Sequence, residues 1–283
     1  MIRPASEALV QPPPAIRRRG LLGLVTDGLR DLVSHRRLIR YLVGAELKRT
    51  HADTVLGQVW WILDPILQMA VYYVLVEVIL HRNVPDYPLF LFAAILPWKW
   101  FSTTMNEATL SVTGRQSLIR QLSFPKIVLP TAAVAAETVS FLFGLGAFAF
   151  VYLFYLDRLS AWVLVVPLIA AIQLVFTLAL AIALSAANAF YRDVQNVLRH
   201  ALRMWFYLSP ALYSLDLITD RRFREILQLN PFAVLLESYH AVTWGTSAPD
   251  WSGLTAVLAV SVVLLLAAIL LFKRVESAFA RIL

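Results

Sequence analysis

The chain has 283 residues, of which 59% are hydrophobic and 15% charged, where a soluble domain carries roughly 45–50% and about 25%. The formal charge of +7 is unevenly placed, with ten of the 25 Lys and Arg residues before Leu56. That placement suits an anionic membrane surface and excludes nucleic acid, which needs a polar domain to display a basic patch. With no cysteine, disulfides and thiolate metal sites are excluded as well.

In chain order, residues 1–33 hold Arg17-Arg18-Arg19 and Pro12-Pro13-Pro14 but no apolar core of signal-peptide length, so they predict a disordered cytosolic tail. From 34 to 54, Leu38, Tyr41, Leu42, Ala45 and Leu47 recur at helical spacing among Arg37, Arg40, Lys48 and Arg49. This predicts an amphipathic helix lying along the membrane. Residues 55–283 then hold apolar runs near the length of about 20 residues that crosses a 30 Å hydrocarbon core. The expected spans are Val55–Leu80, Leu89–Val112, Val128–Leu156, Ala161–Phe190, Val197–Leu215 and Gly253–Phe272. The fold class is therefore all-α integral membrane, six spans preceded by an interfacial helix. With the N-terminus inside, the cytosolic segments hold eighteen Lys and Arg against five outside, so both termini are expected in the cytosol. Asp216–Asp250 has two apolar helical stretches broken at Asn230-Pro231. It is expected to re-enter the outer leaflet as a helical pair, since helix satisfies its own backbone in lipid.

The chain has no G-x-x-x-x-G-K-[ST] motif, so it has no P-loop for ATP phosphates, and ATP-driven transport would need its ATPase on another chain. His81 and Asp86 match a sparse acyltransferase spacing, in which a carboxylate orients a histidine base. The alternative reading is a polar outer turn. Ionisable residues inside expected spans are costly and mark function by default. Lys99 and Glu137 fall at similar depths on antiparallel neighbours and are expected to pair or to line a polar path together. Aromatic faces bind sugar rings without demanding one hydroxyl pattern, which suits passage through a path. Tyr72, Tyr73, Trp205, Tyr207 and Tyr213 are the candidates, although such rings also anchor helices at interfaces. Arg199 and Arg203 are candidates to receive a diphosphate headgroup, or to snorkel to the interface.

A resemblance joins these segments. Asn188-Ala-Phe-Tyr-Arg-Asp-Val194, Phe206-Tyr-Leu-Ser-Pro210 with Tyr213, and Leu229-Asn-Pro-Phe232 resemble the permeases of polysaccharide ABC exporters. So do Leu56-Gly-Gln-Val-Trp60, Leu63-Asp-Pro-Ile-Leu-Gln68, Ile95-Leu-Pro-Trp98, Leu118-Ile-Arg120 and Phe124-Pro-Lys126. The likeness runs from about Leu38 to the C-terminus; one departure is Asp64, where the family often has Asn. The resemblance implies a homodimer in the inner membrane of a bacterium, moving lipid-linked O-antigen, capsule, teichoic acid or galactan. It implies two separate ATP-binding-cassette ATPase subunits that hold the ATP and magnesium, with no cofactor or catalysis in this chain. Gly114–Gln121 then reads as a coupling helix, with Leu118 and Ile119 as apolar knobs and Arg115 and Arg120 as rim charges suited to a partner groove. Tyr191, Arg192 and Asp193 would form a second, smaller contact. Export of drugs or lipids by the same class, or a membrane glycosyltransferase or acyltransferase, are the alternative functions.

Overall fold

The computed structural model describes residues 20–50, 57–81, 84–215 and 220–282. The expected tail before residue 20, residues 51–56 at the entry to the first span, Arg82 and Asp216 lie outside them. Regular structure among the described residues is helical: α1 (Leu21–Ser34), α2 (Arg36–Thr50), α3 (Trp60–Tyr73), α4 (Tyr87–Leu110), α5 (Gln116–Gln121) and α6 (Val128–Tyr152). There follow α7 (Val166–Phe190), α8 (Val194–Tyr207), α9 (Arg221–Gln228), α10 (Pro231–Thr243) and α11 (Trp251–Ile282). Helix α3 continues through Val74–Ile79 in the wider π geometry.

Among the described residues, four segments are long and apolar enough to cross a membrane: Ile62–Ile79, Val128–Tyr152, Ala161–Phe190 and Trp251–Phe279. They make this an all-α membrane protein. Helix α4 has 24 residues, about 36 Å at 1.5 Å each, so it is long enough but carries Lys99 and Glu107. It is the central helix, packed by α3, α6, α7, α8 and α10. Every residue from Leu89 to Trp98 is buried, as expected of a helix that is apolar all round. Several of its polar groups are satisfied within the bundle. Thr104 and Thr109 donate to the carbonyls of Trp100 and Met105 at 2.6 Å, and Gln173 of α7 donates to the Pro97 carbonyl at 2.8 Å.

The connections sort onto two faces. On the terminal face, where residues 20 and 282 lie, Lys273 of α11 meets Asp31 of α1 at 2.9 Å. There the Lys126 backbone also donates to Glu276, and Phe190 lies 5.9 Å from Phe279. On the far face, Arg158 donates to Asp86 at 2.8 Å, and Trp244 to the Pro85 carbonyl at 2.9 Å. The Tyr87 and Tyr152 hydroxyls close onto the carbonyls of Leu212 and Thr243. At the start of α11, Asp250 accepts from the Ser252 hydroxyl and backbone. The Ser252 hydroxyl and the Gly253 N–H hold its carboxyl below the usual range.

Three expectations are corrected. The fifth span, expected over Val197–Leu215, is not one crossing helix: α8 has 14 residues, about 21 Å, against a 30 Å core. Pro210 ends it, because its ring has no N–H and disfavours helix in the residue before it. Turns carry the chain on to Leu212, whose carbonyl receives the Tyr87 hydroxyl on the far face, so this segment passes between the faces as a short helix with an irregular end. Secondly, residues 21–33 are not tail but most of α1, packed on α11. Gly28 makes the seam, where an added Cβ would stand 2.4 Å from Ile269 Cγ2. Gly28→Val should therefore free α1 and speed limited proteolysis between residues 21 and 34; unchanged cleavage would show that the seam is not needed for docking. Thirdly, Asp86 is committed to Arg158, which removes the orienting carboxylate that the acyltransferase spacing required.

Helices α9 and α10 form a broken pair. The Asn230 side chain caps α10, accepting from Phe232 N at 3.0 Å as N-cap residues do. Phe232 packs at mid-length of α4, 4.9 Å from Trp98 and 4.3 Å from Phe101 between ring centres. At its other end α10 reaches the far face through Trp244. The pair therefore dips from the far face to mid-depth and returns.

Candidate functional site

The candidate residues gather in three places. On the terminal face, the 3-10 turn Thr113–Arg115 leads into the short helix α5. Ile119 is only 4% exposed, in a core cluster with Leu42, Val112 and Ile127, and Leu118 packs against the same cluster. Ile119 is therefore not a knob offered to a partner, while Leu118 is half-buried. With one turn of helix against α2, burial takes the apolar residues inward and leaves Ser117, Arg120, Gln121 and Leu122 outward. Arg115 is not a rim charge either, because its guanidinium turns inward to Glu46 of α2. Across the same face Tyr191 is 72% exposed, and Arg192 and Asp193 are exposed beside it.

At mid-depth, α3, α4 and α6 enclose a cavity of about 160 Å³ lined by Trp60, Asp64, Lys99, Trp100, Thr103, Glu137 and Ser140. Lys99 does not pair with Glu137. Its ammonium lies 2.5 Å from Asp64 Oδ2, because the first span rather than the third presents a carboxylate at hydrogen-bonding distance. Lys99 and Glu137 nevertheless share the cavity wall. Glu137 is 8% exposed, and the Trp100 Nε1–H is buried with no partner among the described residues. Such a wall offers donors and acceptors to a polar occupant, in a region where isolated charge is costly.

The aromatic candidates divide. Tyr72 packs on Phe206 at 5.7 Å and faces Gln68 and Tyr207. The Tyr213 hydroxyl donates to the Tyr207 carbonyl at 3.3 Å. These form an open face between α3 and α8. Tyr73, one residue on, is exposed and has no ring contact with that group. Trp205 is a packing residue rather than a path surface, set among Phe101, Phe176 and Phe232, with its Nε1–H on Asn230 at 2.7 Å. Arg199, Arg203 and Tyr207 are exposed at four-residue spacing on α8, a stripe from the terminal face toward Tyr72. Arg199 also donates to Asn196.

Four contributors escaped sequence reasoning. Asp64 stood out only as a departure from a resembling family, although a second charge in a span beside Lys99 is itself a signal. Glu46 and Asn230 act through partners distant in the chain, and Leu122 gains its exposure from the way α5 packs. Glu46 also holds the Arg49 guanidinium above the ordinary arginine pKa, through the hydrogen bond between them.

Comparison with known proteins agrees with this architecture. Residues 37–244 match the family described as ABC-2 type transporter. The chain is 37% identical over 253 residues to the O-antigen export system permease protein RfbA of Myxococcus xanthus, covering 89% of this chain and 97% of that protein. It is 26% identical over 247 residues to the RfbA permease of Klebsiella pneumoniae, covering 87% and 95%. To the polysialic acid transport protein KpsM of Escherichia coli it is 23% identical over 203 residues, covering 68% and 75%. The chain belongs to the ABC-2 type transporter family, as a membrane permease subunit.

Proposed function

We propose that this chain is the membrane subunit of an ATP-driven exporter that moves a lipid-linked polysaccharide of the O-antigen or capsule type across the bacterial inner membrane. The observation that carries the reading is the likeness to an O-antigen export permease along 89% of the chain. The terminal face is cytosolic, by its excess of Lys and Arg, and α9–α10 re-enter the membrane from outside. Two copies form the permease, each holding one ABC ATPase that binds ATP and magnesium; this chain does no covalent chemistry.

In this reading the ATPase docks against Arg120, Leu122 and the Tyr191–Asp193 corner. Arg199 and Arg203 receive the anionic headgroup, and the polymer passes the open face around Tyr72, Tyr207 and Tyr213. The Asp64–Lys99–Glu137 cavity adds a polar flank to that path.

Co-purification with the cognate ABC ATPase tests the docking surface. Arg120→Glu combined with Tyr191→Ala should weaken capture about tenfold, the effect of losing one good interface anchor. Wild-type capture with an unaffected double variant would move the docking surface elsewhere. Failure of the wild type to bind any ABC ATPase would remove the exporter's engine and overturn the function itself.

A further inference from the structure

Glu46 is a carboxylate 5% exposed on the terminal face, and both of its oxygens are occupied. Oε1 accepts from Arg49, its neighbour on α2, through Nε at 3.0 Å and through Nη2. Oε2 accepts from Arg115, in the turn that leads into α5 and 69 residues away in the chain. Arg49 in turn donates from Nη2 to Glu107 of α4 at 3.1 Å. One buried carboxylate thus ties three elements: the interfacial helix, the turn before α5, and the central helix.

We propose that Glu46 is a positioning residue for transport, the joint through which movement of the α5 segment is delivered to α2 and, through Arg49 and Glu107, to the central helix α4, rather than passing only along the chain into α4 and α6. The proposal rests on the exporter reading above. Three features make the joint stiff. Breaking either contact weakens the compensation of a buried carboxylate, which is costly even though Arg49 itself is largely exposed. Arg49 grips Oε1 through two nitrogens while Arg115 reaches Oε2 through Nη2, so the carboxylate is held from both of its oxygens. Leu42, one turn before Glu46, shares a core cluster with Ile119 of α5, so apolar packing adds to the ion pair that holds the turn before α5 to α2.

The test uses the complete transporter with its ABC ATPase in proteoliposomes, reading ATP hydrolysis and polymer export in parallel. Arg115→Ala is the decisive variant, since it leaves Glu46 paired with Arg49 and so preserves the fold; an unfolding midpoint close to wild type confirms this. The variant should capture the ATPase and hydrolyse ATP at near the wild-type rate, while export per ATP falls about tenfold. Glu46→Gln should give the same uncoupling, and Arg115→Lys, which returns the charge, should recover most of it. Wild-type export per ATP in Arg115→Ala would overturn the joint. Loss of ATPase capture in Arg115→Ala would also overturn it, by placing Arg115 in the docking surface. A wild type that captures no ATPase would instead bring down the exporter reading, and the joint with it.

Discussion

Lys99→Met should lower both export and stability, and a second substitution should separate the two losses. Lys99 meets Asp64 at 2.5 Å, with side chains 29% and 57% exposed. In water a pair so exposed would contribute no more than about 1 kcal/mol. Lys99 sits midway along α4 and Asp64 in the second turn of α3, and at the centre of a span a charged group facing hydrocarbon costs roughly 2.5–3.5 kcal/mol. Removing the lysine leaves Asp64 and Glu137 on one cavity wall with no cation between them. The unfolding midpoint in detergent should fall by about 5 °C. Lys99→Met with Asp64→Leu removes both charges of the pair and should recover most of that stability, as apolar replacements of ion pairs often do. Export is the discriminating measurement. It should stay near a tenth of wild type or below in the double variant if the pair borders the path, whereas full recovery would assign the pair a structural role only.

Asn230→Ala is expected to be the most damaging single change outside the apolar core. The Asn230 oxygen accepts from Trp205 Nε1 at 2.7 Å and caps Phe232 N at 3.0 Å; its nitrogen donates to the Ser209 hydroxyl at 2.8 Å. Loss of an N-cap costs about 1 kcal/mol, and a part-buried indole N–H left unsatisfied costs about 1–3 kcal/mol more. The sum, roughly 2–4 kcal/mol, falls on the one residue that ties the end of α8 to the turn between α9 and α10. The protein should still insert and assemble, because α4, α6, α7 and α11 do not depend on Asn230. Export should fall sharply, and cleavage by added protease within 221–243 should accelerate. Asn230→Asp keeps the acceptor but loses the donor to Ser209, so it should lie between the two; equal damage from both changes would mean that the donor, not the cap, holds the pair.

The apolar spans were legible because bilayer thickness imposes a length that the sequence displays directly. Val128 and Ala161–Phe190 begin or end their segments as expected, and α4 was found despite Lys99 and Glu107 because long apolar runs flank them. Legibility failed where side-chain direction depends on distant packing. Leu118 and Ile119 carry the same apolar signal whether they face a partner or α2, and only the docking of α5 on Leu42 decides it. The partner of Lys99 was open for a similar reason: two spans each offered a carboxylate, and depth alone did not rank Asp64 against Glu137. Val197–Leu215 misled because its composition continues past Pro210 while its helix cannot. The α1 seam was invisible, since a lone Gly28 in a charged segment says nothing about Ile269, 241 positions later.

That seam has a consequence for biogenesis. Lys273 donates to Asp31 across 242 positions, so α1 has its docking groove on a helix that is made much later. Until α11 is inserted, α1 waits with Leu24 and Leu32 uncovered and Asp31 without its cation. A nascent chain that stalls before α11 therefore shows an apolar, unpaired helix on its surface, a mark by which proteases and chaperones can tell an unfinished chain from a finished one. Insertion of α11 and concealment of α1 are the same event.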